Sequence, residues 1–164
     1  MNTMYASSIN EIVDLLINVG GKRTVVIEGD MGIGKSSILK ILKKKLPDHV
    51  ACYLDGTTKD LGDLFIPDLD RQAGCVSFLP NEQFGVHLGK PVILMLDELG
   101  KANPSVKNGC LKGMTEFTIG NTPLPEGSIQ IATTNLGAEG IGDLLPQHAC
   151  NRIIIVRMRK PTAE

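Results

Sequence analysis

At 164 residues, 42% hydrophobic and 21% charged, the chain has the make-up of one globular domain with a sizeable core. Seventeen Lys and Arg against 18 Asp and Glu leave a net charge of −1, so no global basic footprint points to a nucleic-acid partner. No apolar run reaches the roughly 18 residues of a membrane-spanning helix, and Met1 to Asn10 carries no basic segment followed by an apolar one, so neither a membrane span nor a signal peptide is expected and the expected location is the cytoplasm.

Ile9 to Val19 has apolar residues at 9, 12, 13, 15, 16 and 19, an amphipathic helix stopped by Gly20-Gly21. Thr24-Val25-Val26-Ile27-Glu28 is β-branched and apolar, a buried strand. A helix is expected from Lys35 to before Pro47, its last turn carrying Lys43-Lys44-Lys45, where the helix dipole favours positive charge. Val50 to Leu54 reads as a second strand ending at Asp55-Gly56. Residues 57–74 are punctuated by Gly, Asp and Pro and are expected to hold only a short helix, 76–79 a short strand or loop, and Gln83 to Leu88 a helix.

Pro91 to Leu96 is a continuous apolar run, as in a strand buried on both faces. Asn103-Pro104-Ser105 opens a helix with Pro at an early position, and Val106, Cys110, Leu111, Met114 and Phe117 form its buried stripe. Gly120 to Gly127 is a turn-rich excursion. Ser128 to Thr133 and Ile153 to Val156 are a fourth and a fifth strand. Helices interleaved with apolar strands predict an α/β sandwich around a mostly parallel sheet. The cysteines at 52, 75, 110 and 150 and the histidines at 49, 87 and 148 show no metal-ligand spacing, and buried free thiols are the default.

Between the first strand and the following helix stands Gly29-Asp30-Met31-Gly32-Ile33-Gly34-Lys35-Ser36, followed by Ser37. It matches G-x-x-x-x-G-K-[ST], the phosphate-binding P-loop, in the strand–turn–helix context the motif requires. Its glycines let backbone N–H groups curl around phosphate oxygens, and the helix N-terminus adds partial positive charge. Lys35 is expected to reach the β- and γ-phosphates and Ser36 to ligate Mg²⁺. The third strand ends in Asp97-Glu98, a Walker B pattern. A carboxylate there can hold Mg²⁺ or its water shell opposite Ser36, and Glu98 can polarise the water that attacks the γ-phosphate.

From Asp97 to Asn108 the chain reads D-E-L-G-K-A-N-P-S-V-K-N, which resembles the D-E-x-x-[KR]-A-x-x-x-[VT]-Q-[NS] segment of MoxR-like AAA+ ATPases. Leu111-Lys112-Gly113-Met114-Thr115-Glu116 is similar to that family's L-x-x-M-x-E helix, and Leu124-Pro125 to its L-P motif. Ala132-Thr133-Thr134-Asn135 resembles its A-T-x-N strand end, which would make Asn135 sensor 1. Leu145 to Arg152 resembles its L-P-x-x-x-x-x-R box, which would make Arg152 the arginine finger acting on a neighbouring subunit's nucleotide. The family has an aromatic after that Arg where this chain has Ile153, so Arg157 and Arg159 stay open as alternatives.

The resemblance runs from about Ile9 to Pro161. It implies a P-loop NTPase sandwich with five parallel strands ordered 5-1-4-3-2, ATP and Mg²⁺ as cofactors, hydrolysis by direct attack of water, and a homo-oligomeric ring, a hexamer when the lid is present, that remodels an unknown client protein. The family's helical lid has no counterpart up to Glu164, so residues 1–164 are expected to be a single AAA+ core with weakened nucleotide binding and ring assembly. Gly120 to Gly127 is either a pore-facing loop or a simple hairpin turn. Rival readings are a P-loop phosphotransferase, a nucleotide-gated binding protein with little turnover, and a DNA-acting motor, the last disfavoured by the near-neutral charge.

Overall fold

A computed structural model describes residues 6–135 and 152–160. The described strands and helices are β1 (Ala6–Ser7), α1 (Ile9–Val19), β2 (Thr24–Glu28), α2 (Ser37–Lys45), β3 (Val50–Asp55), β4 (Phe65–Asp70), β5 (Cys75–Pro80), β6 (Val92–Asp97), α3 (Pro104–Glu116), β7 (Thr118–Ile119), β8 (Thr122–Pro123), β9 (Ile129–Thr134) and β10 (Ile153–Met158).

The central sheet has six strands in the order β1-β10-β2-β9-β6-β3, every neighbouring pair parallel. Five of them keep the expected 5-1-4-3-2 order. The expected count was one short: Ala6 and Ser7 add an edge strand beside Arg157 and Met158, too brief to leave a sequence pattern. Alternation along the strands divides the core. Val25, Ile27, Ile93, Met95, Ile129 and Ile131 pack with α1 and α2 on one face. Val26, Leu54, Leu94, Leu96 and Ala132 pack with α3 on the other. Helices on both faces of a parallel sheet make three layers.

Local chemistry sets the helix ends. Ser8 caps α1 in a reciprocal box with Glu11, and Ile12, Val13 and Leu16 form the buried face. Asn103 caps α3 by accepting from the Val106 amide, and Pro104 follows. The α3 stripe is Val106, Cys110, Gly113 and Met114; Leu111 and Phe117 are only partly buried. Cys52 and Cys110 are buried and Cys75 is exposed. Burial pushes the Cys110 thiol up to about 12.

Two segments depart from expectation. Residues 56–80 hold two 3₁₀ turns, Gly56–Thr58 and Leu61–Asp63, and an antiparallel hairpin pairing β4 with β5, where only a short helix was expected before the short strand that β5 supplies. The hairpin does not lie in the core. Ile66, Leu69, Val76, Phe78 and Leu79 are all exposed, so burial imposed no alternating pattern, and Pro67 is tolerated because the ribbon has free edges. The helix expected over Gln83–Leu88 is two 3₁₀ turns, Glu82–Phe84 and Val86–Leu88, separated by Gly85 at φ +65°. Gly120-Asn121 turns the small antiparallel β7–β8 hairpin, the hairpin that was one of the two alternatives for Gly120–Gly127.

Candidate functional site

The C-terminal ends of β2, β6 and β9 sit side by side in the sheet. The turn after β2 is the P-loop. Gly32 and Gly34 adopt φ +75° and +92°, values an L side chain rarely takes. A Cβ at Gly29 would stand 2.4 Å from Ile33 Cδ1, so the buried Ile33 side chain needs glycine there to tuck the loop against the sheet. Asp30 and Met31 lie exposed on the loop, while Ser36 is the first cap residue of α2 and Ser37 its first residue.

Lys35 is buried. Its ammonium donates toward Gly29 O at 2.6 Å, Asp30 O at 3.2 Å, Thr134 O at 3.2 Å and Asn135 Oδ1 at 3.1 Å. Burial lowers its pKa, and the charges of Asp97, Glu98 and Asp30 oppose that shift. The cation therefore sits against oxygens of the loop and of the tip of β9, charge-assisted bonds that tie the two together.

Asp97 is buried at the end of β6. Its Oδ2 accepts from Ser36 Oγ at 3.0 Å and Tyr53 Oη at 2.7 Å. Its Oδ1 accepts from Thr133 Oγ1 and, at 3.2 Å, from the Glu98 amide. Burial alone would raise the carboxyl pKa, but the bonds from Thr133, Tyr53 and Ser36 outweigh it and hold the group below its ordinary value. Burial and the hydrogen bond to Asp97 push the Tyr53 phenol up. An ionised carboxylate beside a hydroxyl is a hard oxygen pair of the kind Mg²⁺ takes together with phosphates and water. Ser36 and Asp97 thus fit that ion.

Glu98 follows at φ +48° and ψ +34°, a left-handed conformation uncommon for a non-glycine residue. Its amide also donates to Thr133 Oγ1 at 3.1 Å, which ties the turn to β9. Its carboxylate pairs with Lys101 at 3.7 Å. Met31, Gly32, Gly34, Lys35, Ser36, Asp97, Glu98 and Asn135 line one cleft of about 220 Å³. That is below the roughly 300–1,000 Å³ of typical small-molecule pockets, and suits a phosphate chain whose nucleoside lies outside it.

Arg152 is exposed and stands apart. Ile153 is level with Thr24 at the start of β2, so Arg152 is at the opposite end of the sheet from its own P-loop. Arg157 is level with Glu28, at the P-loop end, and the Arg159 amide donates to Ser7 O. The rest of the box, Leu145 to Asn151, lies outside the described residues. Among the described residues no cluster of His, Cys, Asp and Glu could hold a metal by itself, and no helix is long and apolar enough to cross a membrane. Tyr53 and Thr133 were missed by sequence reasoning. Their roles depend on β3 and β9 flanking β6, which no local pattern announces.

No protein-family model and no curated protein matches the chain. Among solved structures it is similar to a putative ATPase from Cytophaga hutchinsonii, at 20% identity and a TM-score of 0.57 over 92% of this chain and 46% of that one. The chain spans about half the length of that protein. At this identity the likeness shows the fold, a P-loop NTPase-like α/β sandwich.

Proposed function

We propose that this protein binds ATP with Mg²⁺ and hydrolyses it as a single AAA+ core of MoxR-like type, coupled to chaperone-like remodelling of a partner protein in the cytoplasm. The observation that carries the reading is the convergence of Lys35, Ser36, Asp97, Glu98 and Asn135 on one polar cleft at the carboxyl ends of parallel strands, where open α/β sheets bind ligands. The fold shared with a putative ATPase agrees with nucleotide binding.

The P-loop amides and the N-terminus of α2 bind the phosphates, and Lys35 trades its loop carbonyls for β- and γ-oxygens. Ser36 and Asp97 would hold Mg²⁺, which would neutralise charge on those phosphates. Glu98 accepts a proton from water as the water oxygen bonds to the γ-phosphorus and the bridging P–O bond breaks, releasing ADP and phosphate with no covalent enzyme intermediate. Asn135 orients that water. Arg152, too far from its own cleft, completes a neighbour's in a ring. The exposed apolar β4–β5 hairpin is the type of surface that marks protein–protein contact.

The test is phosphate release from ATP with no acceptor present. Release that is abolished by Lys35→Ala supports hydrolysis, and ATP left intact by a protein that binds it contradicts it. A second reading, a nucleotide-gated binding protein with little turnover, is favoured by the Glu98–Lys101 pair, which occupies the carboxylate needed as base. On that reading Lys101→Met raises turnover; on the first it does not.

A further inference from the structure

The carboxylate of Asp97 is held from both neighbouring strands. Leu96 is level with Ala132, which puts Thr133 of β9 directly beside Asp97. On the other side Asp55 is level with Asp97, and Tyr53, two residues back on the same face of β3, spans the remaining distance to bring Oη within 2.7 Å of Oδ2. Packing does not explain this tyrosine, which is 48% exposed; what it contributes is the hydroxyl. Oδ2 is the oxygen shared with Ser36. When Ser36 Oγ turns a lone pair to a cation, its proton swings away from Asp97. Among the described donors, Tyr53 is then the one left on Oδ2, while Thr133 and the Glu98 amide hold Oδ1.

We propose that Tyr53 is a positioning residue for the metal-holding carboxylate: its hydroxyl fixes the rotation of Asp97 so that Oδ2 faces Ser36 and the two-oxygen cation site is formed in advance. This rests on the proposed Mg²⁺–nucleotide reading of the cleft. Partners that orient a metal ligand without touching the metal typically change metal affinity by roughly 10–100-fold when removed.

The experiment compares the parent protein with Tyr53→Phe, which keeps the ring and loses the hydroxyl. Mn²⁺ affinity in the presence of ADP is read by electron paramagnetic resonance, and ADP affinity in EDTA by calorimetry. The expected result is Mn²⁺ binding weakened about tenfold or more with ADP affinity in EDTA unchanged. Equal Mn²⁺ affinity in both proteins overturns the proposal and leaves the cleft's function standing. An equal loss of affinity with and without metal assigns Tyr53 a merely structural part and also overturns it. A parent protein that binds no Mn²⁺–ADP at all overturns the nucleotide reading and this proposal together. Tyr53→Leu, which retains an apolar strand residue, repeats the comparison if the phenylalanine variant does not fold.

Discussion

Lys35 Nζ lies 3.1 Å from Asn135 Oδ1, joining the P-loop to the tip of β9 across 100 residues of sequence. The same ammonium reaches Thr134 O. The lysine that would grip phosphate and the asparagine that would orient water therefore share one hydrogen bond. On the proposed reading, a γ-phosphate drawing Lys35 away would break this bond and the Asn135 amide would turn to the attacking water. Asn135→Ala leaves Lys35 its three carbonyl acceptors, so ATP affinity should change little. Turnover should fall by roughly 10²–10³-fold, as when one oriented polar group is removed from a transition state. Calorimetry and steady-state phosphate release separate the two effects, and equal losses in both would contradict the role.

Glu98→Gln keeps the shape of the side chain and removes the charge that polarises water. ATP should still bind, and turnover should fall by roughly 10²–10⁴-fold. A parental rate in this variant would reduce Glu98 to the acid partner of Lys101.

The position of Arg152 predicts action between subunits. From Thr24 to Glu28 is about 13 Å at roughly 3.3 Å per residue, and Arg152 lies before the start of that span, so it does not reach the P-loop that follows Glu28. Arg152→Ala and Lys35→Ala should each be inactive alone. Mixed, they should recover activity at interfaces where one subunit keeps Arg152 and its neighbour keeps Lys35. An arginine finger contributes roughly 10³–10⁵ in rate, enough to see partial recovery. Normal turnover by Arg152→Ala, or a rate per subunit independent of protein concentration, would count against it.

Two glycines offer a matched test of the fold. Gly85 and Gly74 share φ +65°, but a Cβ at Gly85 would lie 2.8 Å from Cys52 Sγ and 3.1 Å from Val50 Cγ1, whereas at Gly74 nothing lies within 4 Å. Gly74→Ala should cost only the left-handed backbone, about 1–2 kcal/mol. Gly85→Ala adds overpacking of about 1–3 kcal/mol. Urea denaturation should rank the two in that order, and equal midpoints would contradict the packing around Gly85.

How much was legible follows from where burial acts. The Thr24–Glu28 and Val92–Asp97 strands are buried on both faces, so their apolar runs stood out, and the P-loop and Asp97-Glu98 could be placed on their ends. The β4–β5 hairpin was not legible because no core lies against its Ile66, Leu69 and Val76 side chains. Gln83 to Leu88 has helical spacing, yet Gly85 holds a left-handed conformation beside Cys52 that ends any continuous helix. Within the site, Lys35, Ser36, Asp97 and Glu98 were readable from motif spacing. Tyr53 was not, since its reach to Asp97 exists only once β3 and β6 align in parallel register.

The central claim is that the cleft around Lys35 binds ATP, and calorimetric titration of ATP with Mg²⁺ into the parent protein and Lys35→Ala tests it most directly. Truncating Lys35 removes the cation that would face the phosphates but no side chain of either apolar core, so far-UV circular dichroism should remain that of the parent. The account predicts saturable 1:1 binding to the parent and no measurable binding to the variant. Unchanged ATP affinity in a folded Lys35→Ala protein would contradict it.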